Sequence, residues 1–254
     1  MCPGIIDNPR ALTSRATMTR AIPESERLIF ALDVPDASAA IKLVNELGDT
    51  VTFYKLGLEL AMSDDYWRLI DFLLERGKKV FADLKFFDIP ATTASAVRQL
   101  SERGVHLCTV HGNQGIMQAA AEARTGALKV LAVTALTSLD RGDLDDLGFD
   151  CDVEQLVLSR AKRAFESGCD GIVSSGMEVA AVRASGLDKL IVVTPGIRPV
   201  DNRPTDDQKR VLSPTDAIQL GSDYLVVGRP IRNASDPRAA AAAIQYEISQ
   251  ALSA

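Results

Sequence analysis

Phe81-Ala82-Asp83-Leu84-Lys85-Phe86-Phe87-Asp88-Ile89-Pro90 sets three charged side chains into an apolar run made of Val80, Phe81, Leu84, Phe86, Phe87 and Ile89. A near-continuous apolar run of this length reads as a parallel strand covered on both faces, where the alternation of inward and outward residues is lost. Pro90 is favoured in the first turn of a helix, so the stretch reads as one strand-to-helix step. Asp83 and Lys85 are two residues apart and fall on one face of that strand, and Asp88 falls at its C-terminal end. An unpaired ion in such a place costs several kcal/mol, so the three charges either neutralise one another or do chemistry. Two plainer readings stand beside this. Asp88 could cap the helix that starts at Pro90, and Asp83 with Lys85 could form an interior ion pair.

Outward from this step the same pattern repeats. Apolar runs at Leu28–Leu32, Val51–Leu56, Lys79–Leu84, His106–Val110, Leu128–Ala135, Gly171–Val173, Leu190–Thr194 and Asp223–Val227 alternate with amphipathic segments. In one such segment Ala94, Val97 and Leu100 recur at helical spacing and Gly104 closes the helix. Eight units of strand then helix predict an α/β fold of the (β/α)8 barrel (TIM barrel) class. The spacing is about 28 residues per unit, close to the roughly 30 of a β–α repeat. Residues 25–254 are expected to form this barrel as a single domain. Residues 1–24 lack periodicity, carry Pro3, Gly4, Pro9 and Pro23, and have no signal-peptide core, so they are expected to form a loose N-terminal extension.

Composition narrows the function classes. A chain of 254 residues with net charge −6 has no basic stripe for nucleic acid and no electrostatic pull toward anionic membranes. No apolar run approaches the roughly 18 residues of a membrane span. Cys2, Cys108, Cys151 and Cys169 have neither metal spacing nor a short secreted framework, which points to reduced thiols in a cytoplasmic protein. His106 and His111 have no ligand-spaced partners and read as packing or hydrogen-bonding residues.

Active sites of such barrels lie at the C-terminal ends of the strands. The unusual residues of this chain sit there: Asp33, Lys55, the Asp83/Lys85/Asp88 trio, Thr137, Ser174 and Ser175, Arg198, and Gly228 with Arg229. Loops after the last two strands often bind phosphate, and Gly228 would let the backbone approach an anion while Arg229 offers a fork of donors. Asp33 with Lys55 could instead be an interior pair, and Gly228-Arg229 a plain turn. Asp201–Arg210 is polar and aperiodic, and reads as a lid or a surface insertion.

These residues together resemble the orotidine 5′-phosphate decarboxylase family. The likeness is carried by Ala31-Leu32-Asp33, Tyr54-Lys55-Leu56-Gly57, Asp83 through Pro90, Leu136-Thr137-Ser138, Thr194-Pro195-Gly196-Ile197-Arg198-Pro199 and Val227-Gly228-Arg229-Pro230. It implies decarboxylation of orotidine 5′-monophosphate to uridine 5′-monophosphate in pyrimidine biosynthesis, without cofactor or metal, by a homodimer that shares its active sites. By the same resemblance Lys55, Asp83, Lys85 and Asp88 form a charged tetrad in which Lys85 donates the proton. Asp88, Ile89 and Thr92 reach the neighbouring subunit's site, Asp33 and Lys55 hold ribose hydroxyls, and Thr137 and Ser175 hold the pyrimidine. Gly228 and Arg229 hold the phosphate, Arg198 binds substrate, and Gln208 bridges phosphate and base from the closing loop. Two rivals remain. A Mg²⁺-dependent hexulose-phosphate synthase shares the D-x-K-x-x-D element, and a nucleotide-binding barrel without turnover would share the phosphate site.

Overall fold

The computed structural model describes residues 22–199 and 211–254. Eight strands, β1 Leu28–Ala31, β2 Phe53–Leu56, β3 Lys79–Phe86, β4 Leu107–His111, β5 Lys129–Val133, β6 Gly171–Val173, β7 Ile191–Thr194 and β8 Tyr224–Val227, close into a parallel barrel in chain order. All eight lie within or against the apolar runs expected to form strands, and the fold is the (β/α)8 barrel. Among the described residues, no helix is long and apolar enough to cross a membrane.

The period-2 pleat sorts each strand into two faces. Ile29, Ala31, Phe53, Phe81, Leu107, Leu131, Ile191, Val193, Tyr224 and Val226 point inward and fill the barrel. Their neighbours, such as Leu28, Phe30, Tyr54, Val80, Cys108 and Val130, point outward and pack with the helices. The alternation also fixes what lies one step above the filled interior. Two residues beyond Phe53, Phe81 and Leu107 come Lys55, Asp83 and Thr109.

Helices follow the strands, some in pairs: α1 Ala37–Leu47, α2 Leu58–Ala61, α3 Tyr66–Glu75, α4 Pro90–Glu102, α5 Gln114–Ala123, α6 Arg141–Asp146, α7 Val153–Glu166, α8 Gly176–Ala184, α9 Pro214–Gln219, α10 Arg229–Arg232 and α11 Pro237–Ser253. On α4 the buried stripe includes Ala94, Val97 and Leu100, and Gly104 follows with φ of 78°. Ile22, inside the stretch expected to be loose, packs against the barrel's inner cluster. Residues 1–21 of that stretch, and the Asp201–Arg210 loop with Gln208, lie outside the described residues.

The opening stretch departs from its reading in two ways. It is buried only through Ala82: Leu84 and Phe86 are half-buried, and Phe87 and Ile89 are each 65% exposed because β3 has ended and the chain swings outward to α4. The strand is also not regular. Ala82 pairs with Cys108 and Phe86 with Val110, so four steps along β3 face two along β4. This bulge contains Asp83, Leu84 and Lys85, and Lys85 sits at φ of 49°, the one left-handed non-glycine among the described residues. Side chains rarely hold that region without surrounding support, and such residues gather at functional sites.

Candidate active site

Above the filled interior lies a cavity of about 410 Å³. Its walls include Asp33, Lys55, Asp83, Lys85, Thr137, Ser174, Arg198, Gly228 and Arg229, which come from seven different strand ends. The structure thus brings together most of the candidates scattered over the sequence.

On one side the charges alternate in sign. Lys55 Nζ lies 3.1 Å from Asp33 Oδ1 and 3.6 Å from Asp83 Oδ2, and Lys85 Nζ lies 2.9 Å from Asp83 Oδ1. Burial pulls the Lys55 ammonium toward its neutral form, but Asp83 and Asp33 outweigh it and leave its pKa above the ordinary lysine value. Burial likewise pushes Asp83 up, but the Lys55 and Lys85 charges and the hydrogen bonds from Lys85 and Thr109 hold its carboxyl below the usual range. Gly57 packs closely against this array. A Cβ on it would come 3.2 Å from Lys55 Nζ and 3.4 Å from Asp33 Oδ1.

The other walls are quieter. Arg198 is 5% exposed and its guanidinium donates to the Ile197 carbonyl at 2.9 Å. Gly228 precedes α10, and a Cβ there would stand 3.4 Å from that of Ala31 and 3.7 Å from Asp33 Oδ2. Arg229 opens that short helix and lines the cavity. Among the described residues, no three His, Cys, Asp or Glu side chains converge as a metal site.

Four candidates stand elsewhere. Ser175 is buried and is the N-cap of α8, its Oγ accepting from the Met177 amide at 3.3 Å, and Ser174 is the serine that lines the cavity. Asp88, Ile89 and Thr92 are exposed and line no part of this cavity. Asp88 does not cap α4 either: the N-cap is Ile89, without a side-chain cap, and Asp88 Oδ1 accepts from the adjacent Ile89 amide at 2.6 Å. His106 takes the packing role expected of it, accepting from the Val80 amide at 3.3 Å and meeting Phe53 edge-on. His111 meets the exposed Phe87 ring edge-on at 5.4 Å.

Two site residues escaped the sequence reading. Thr109 passes for an ordinary β-former in Leu107-Cys108-Thr109-Val110-His111; only strand parity with inward-facing Leu107 could have flagged it. Arg232 donates to the Asp33 backbone carbonyl and lines the cavity. Its spacing of three from Arg229 on one helix was the available signal.

The model of the "Orotidine 5'-phosphate decarboxylase / HUMPS family" matches residues 26–244. An orotidine 5′-phosphate decarboxylase of Methylococcus capsulatus is 60% identical over 229 residues, covering 90% of this chain and 94% of that one. One of Stenotrophomonas maltophilia is 47% identical over 241 residues, covering 93% and 100%. The crystal structure of the decarboxylase from Lactobacillus acidophilus superposes with a TM-score of 0.76 at 34% identity, over 88% of this chain and 99% of that one. A match along nearly the whole barrel, strand ends included, means that the chain belongs to the orotidine 5′-phosphate decarboxylase family.

Proposed function

We propose that this chain decarboxylates orotidine 5′-monophosphate to uridine 5′-monophosphate in pyrimidine biosynthesis, with no metal or organic cofactor. The observation that carries the reading is the alternating array Asp33, Lys55, Asp83 and Lys85 on the wall of a cavity that Gly228 and Arg229 also line. The phosphate sits at Gly228 and Arg229, whose guanidinium suits a planar, charge-assisted contact. Asp33 and Lys55 take ribose hydroxyls, and Thr137, Ser174 and Arg198 border the base. Ser175 Oγ is engaged as a helix cap, so its part in base binding is confined to groups other than that cap bond.

Chemistry follows from charge. When the bond between C6 and the carboxylate breaks, CO2 leaves and the electron pair stays on C6. Lys85, held by Asp83, stabilises that charge and then donates its proton to C6, giving uridine 5′-monophosphate; water reprotonates the amine. Two unit charges about 4 Å apart at an effective dielectric near 20 interact by about 4 kcal/mol, roughly three decades of rate if felt only in the transition state. Asp83 beside the substrate carboxylate adds repulsion in the ground state.

Asp88, Ile89 and Thr92 serve the site of a second copy in a two-fold dimer. Their exposure beside Phe87, outside their own chain's cavity, supports this. The test of the whole reading is loss of orotidine 5′-monophosphate absorbance with a chelator present. Turnover unaffected by chelator supports it, no turnover of orotidine 5′-monophosphate together with Mg²⁺-dependent turnover of a hexulose phosphate favours the hexulose-phosphate synthase branch, and tight uridine 5′-monophosphate binding without turnover favours a binding protein. Sharing of sites is read by mixing inactive Lys85→Ala and Asp88→Ala chains under subunit exchange. Random pairing makes about half the dimers mixed with one intact site each, so about a quarter of sites recover; no recovery rules sharing out.

A further inference from the structure

We propose that Thr109 is a positioning residue that holds Lys85 in its working conformation and aims Asp83 at the lysine. The inference rests on the reading of Lys85 as proton donor.

Lys85 is held at a φ that an L side chain seldom adopts, inside a bulge where β3 has two more residues than β4. A bulge costs ladder hydrogen bonds, and the amide of Lys85 must find an acceptor elsewhere. The residue facing the bulge between the paired positions Cys108 and Val110 is Thr109. Its Oγ1 lies 2.9 Å from the Lys85 amide nitrogen and 2.9 Å from Asp83 Oδ1.

The direction of both bonds is fixed by chemistry. An amide only donates, so Thr109 Oγ1 accepts from Lys85, and the hydroxyl's single hydrogen is left for the Asp83 carboxylate. One fully buried hydroxyl therefore closes a ring: Lys85 backbone to Thr109, Thr109 to Asp83, and Asp83 back to Lys85 Nζ. It ties the lysine's main chain and its ammonium to the same carboxylate oxygen, Asp83 Oδ1. A hydroxyl is the smallest group that can do both jobs at this place. Valine has the same shape and can do neither.

The experiment compares Thr109→Val, Thr109→Ala and Thr109→Ser with the wild-type chain, each checked for folding by circular dichroism. Two quantities are read: steady-state decarboxylation of orotidine 5′-monophosphate, and hydrogen exchange at the Lys85 amide by NMR. Thr109→Val is expected to lower kcat by about 10- to 100-fold with KM within about threefold, the split of a group that acts on the transition state. Thr109→Ser, which keeps both bonds, recovers kcat to within about threefold of wild type. Exchange at the Lys85 amide quickens at least about tenfold in Thr109→Val and not in Thr109→Ser. Should Thr109→Val fail to fold, Thr109→Ala is read in its place.

Wild-type kcat together with wild-type Lys85 protection in the valine variant overturns the inference. So does a kcat loss that serine fails to recover, since that marks packing and not the hydroxyl. If the wild-type chain itself does not turn over, the functional reading has failed, and the exchange arm still decides whether Thr109 holds Lys85.

Discussion

At the N-terminal end of the barrel, Asp170 and Asp223 each accept a strand amide and an arginine through one oxygen. Asp170 Oδ2 takes the Val130 amide at 2.9 Å and Arg124 Nε at 2.9 Å, and Asp223 Oδ2 takes the Val192 amide at 2.8 Å and Arg183 Nη2 at 2.8 Å. Arg183 also donates to the Gly221 and Leu190 carbonyls. At the C-terminal end, Lys55, Asp83 and Lys85 sit at similar distances but are held by one another and by Thr109, and all three border a cavity. Ion pairs at the floor are spent on stitching loops to strands. Those at the rim keep faces open to a ligand. Counting salt bridges would rank the two ends alike; asking what else each charge touches separates them.

The contrast breaks most sharply at Lys85. Lys85→Ala is expected to cost roughly three decades or more in kcat, given about 4 kcal/mol for the lost charge, while leaving the midpoint of denaturant unfolding almost in place. Normal turnover in that variant would remove the rim from the chemistry. Asp223→Asn at the floor is the converse case. Leaving Arg183 without its anion is expected to cost about 3 kcal/mol of stability, seen as a lower urea midpoint at unchanged slope, with kcat of the folded enzyme kept. A floor variant that folds well but turns over slowly would merge the two ends again.

Arg229→Ala sharpens the division within the rim. A charge-assisted contact is worth roughly 1.5–3 kcal/mol, so KM is expected to rise at least about tenfold. Isothermal titration checks the cause: affinity for uridine 5′-monophosphate falls while that for uridine does not, and equal loss of both would place the phosphate elsewhere.

The smallest expected effect is on the pH dependence of stability. Asp83 has its folded pKa lowered, so its contribution is present above the ordinary value of about 3.9 and is lost as pH falls through the folded value. Lys55 has its folded pKa raised, so its contribution is full below about 10.4 and is lost as pH rises through the folded value. Urea midpoints of wild type and Asp83→Asn measured from about pH 3 to 9 should therefore differ by a steady amount above about pH 5. Below about pH 4 the gap closes by no more than about 1.4 kcal/mol per pH unit. A gap that persists unchanged at acid pH would mean that the Asp83 charge does not stabilise the fold.

Strand positions, the barrel and most of the cavity wall could be read from sequence alone, because they depend on local signals. Apolar runs at even spacing mark strands, Pro90 and Gly104 punctuate α4, and charges at strand ends stand out against apolar surroundings. What tertiary structure decided depends on the partner strand. Regular alternation does put Asp83 and Lys85 on one face, yet they meet through a two-residue bulge whose existence is a mismatch between β3 and β4, and no property of the β3 sequence sets how many residues β4 offers opposite it. The same holds for Thr109, whose hydroxyl matters only because of what stands across from it, and for Arg232, which reaches Asp33 across 199 residues of chain. Ser174 and Ser175 differ by one step at the end of β6, so one lines the cavity and the other caps α8. Identity of residues is a one-dimensional property, whereas satisfaction of a buried donor or charge is settled only where polar atoms from segments distant in sequence come within about 3 Å of each other.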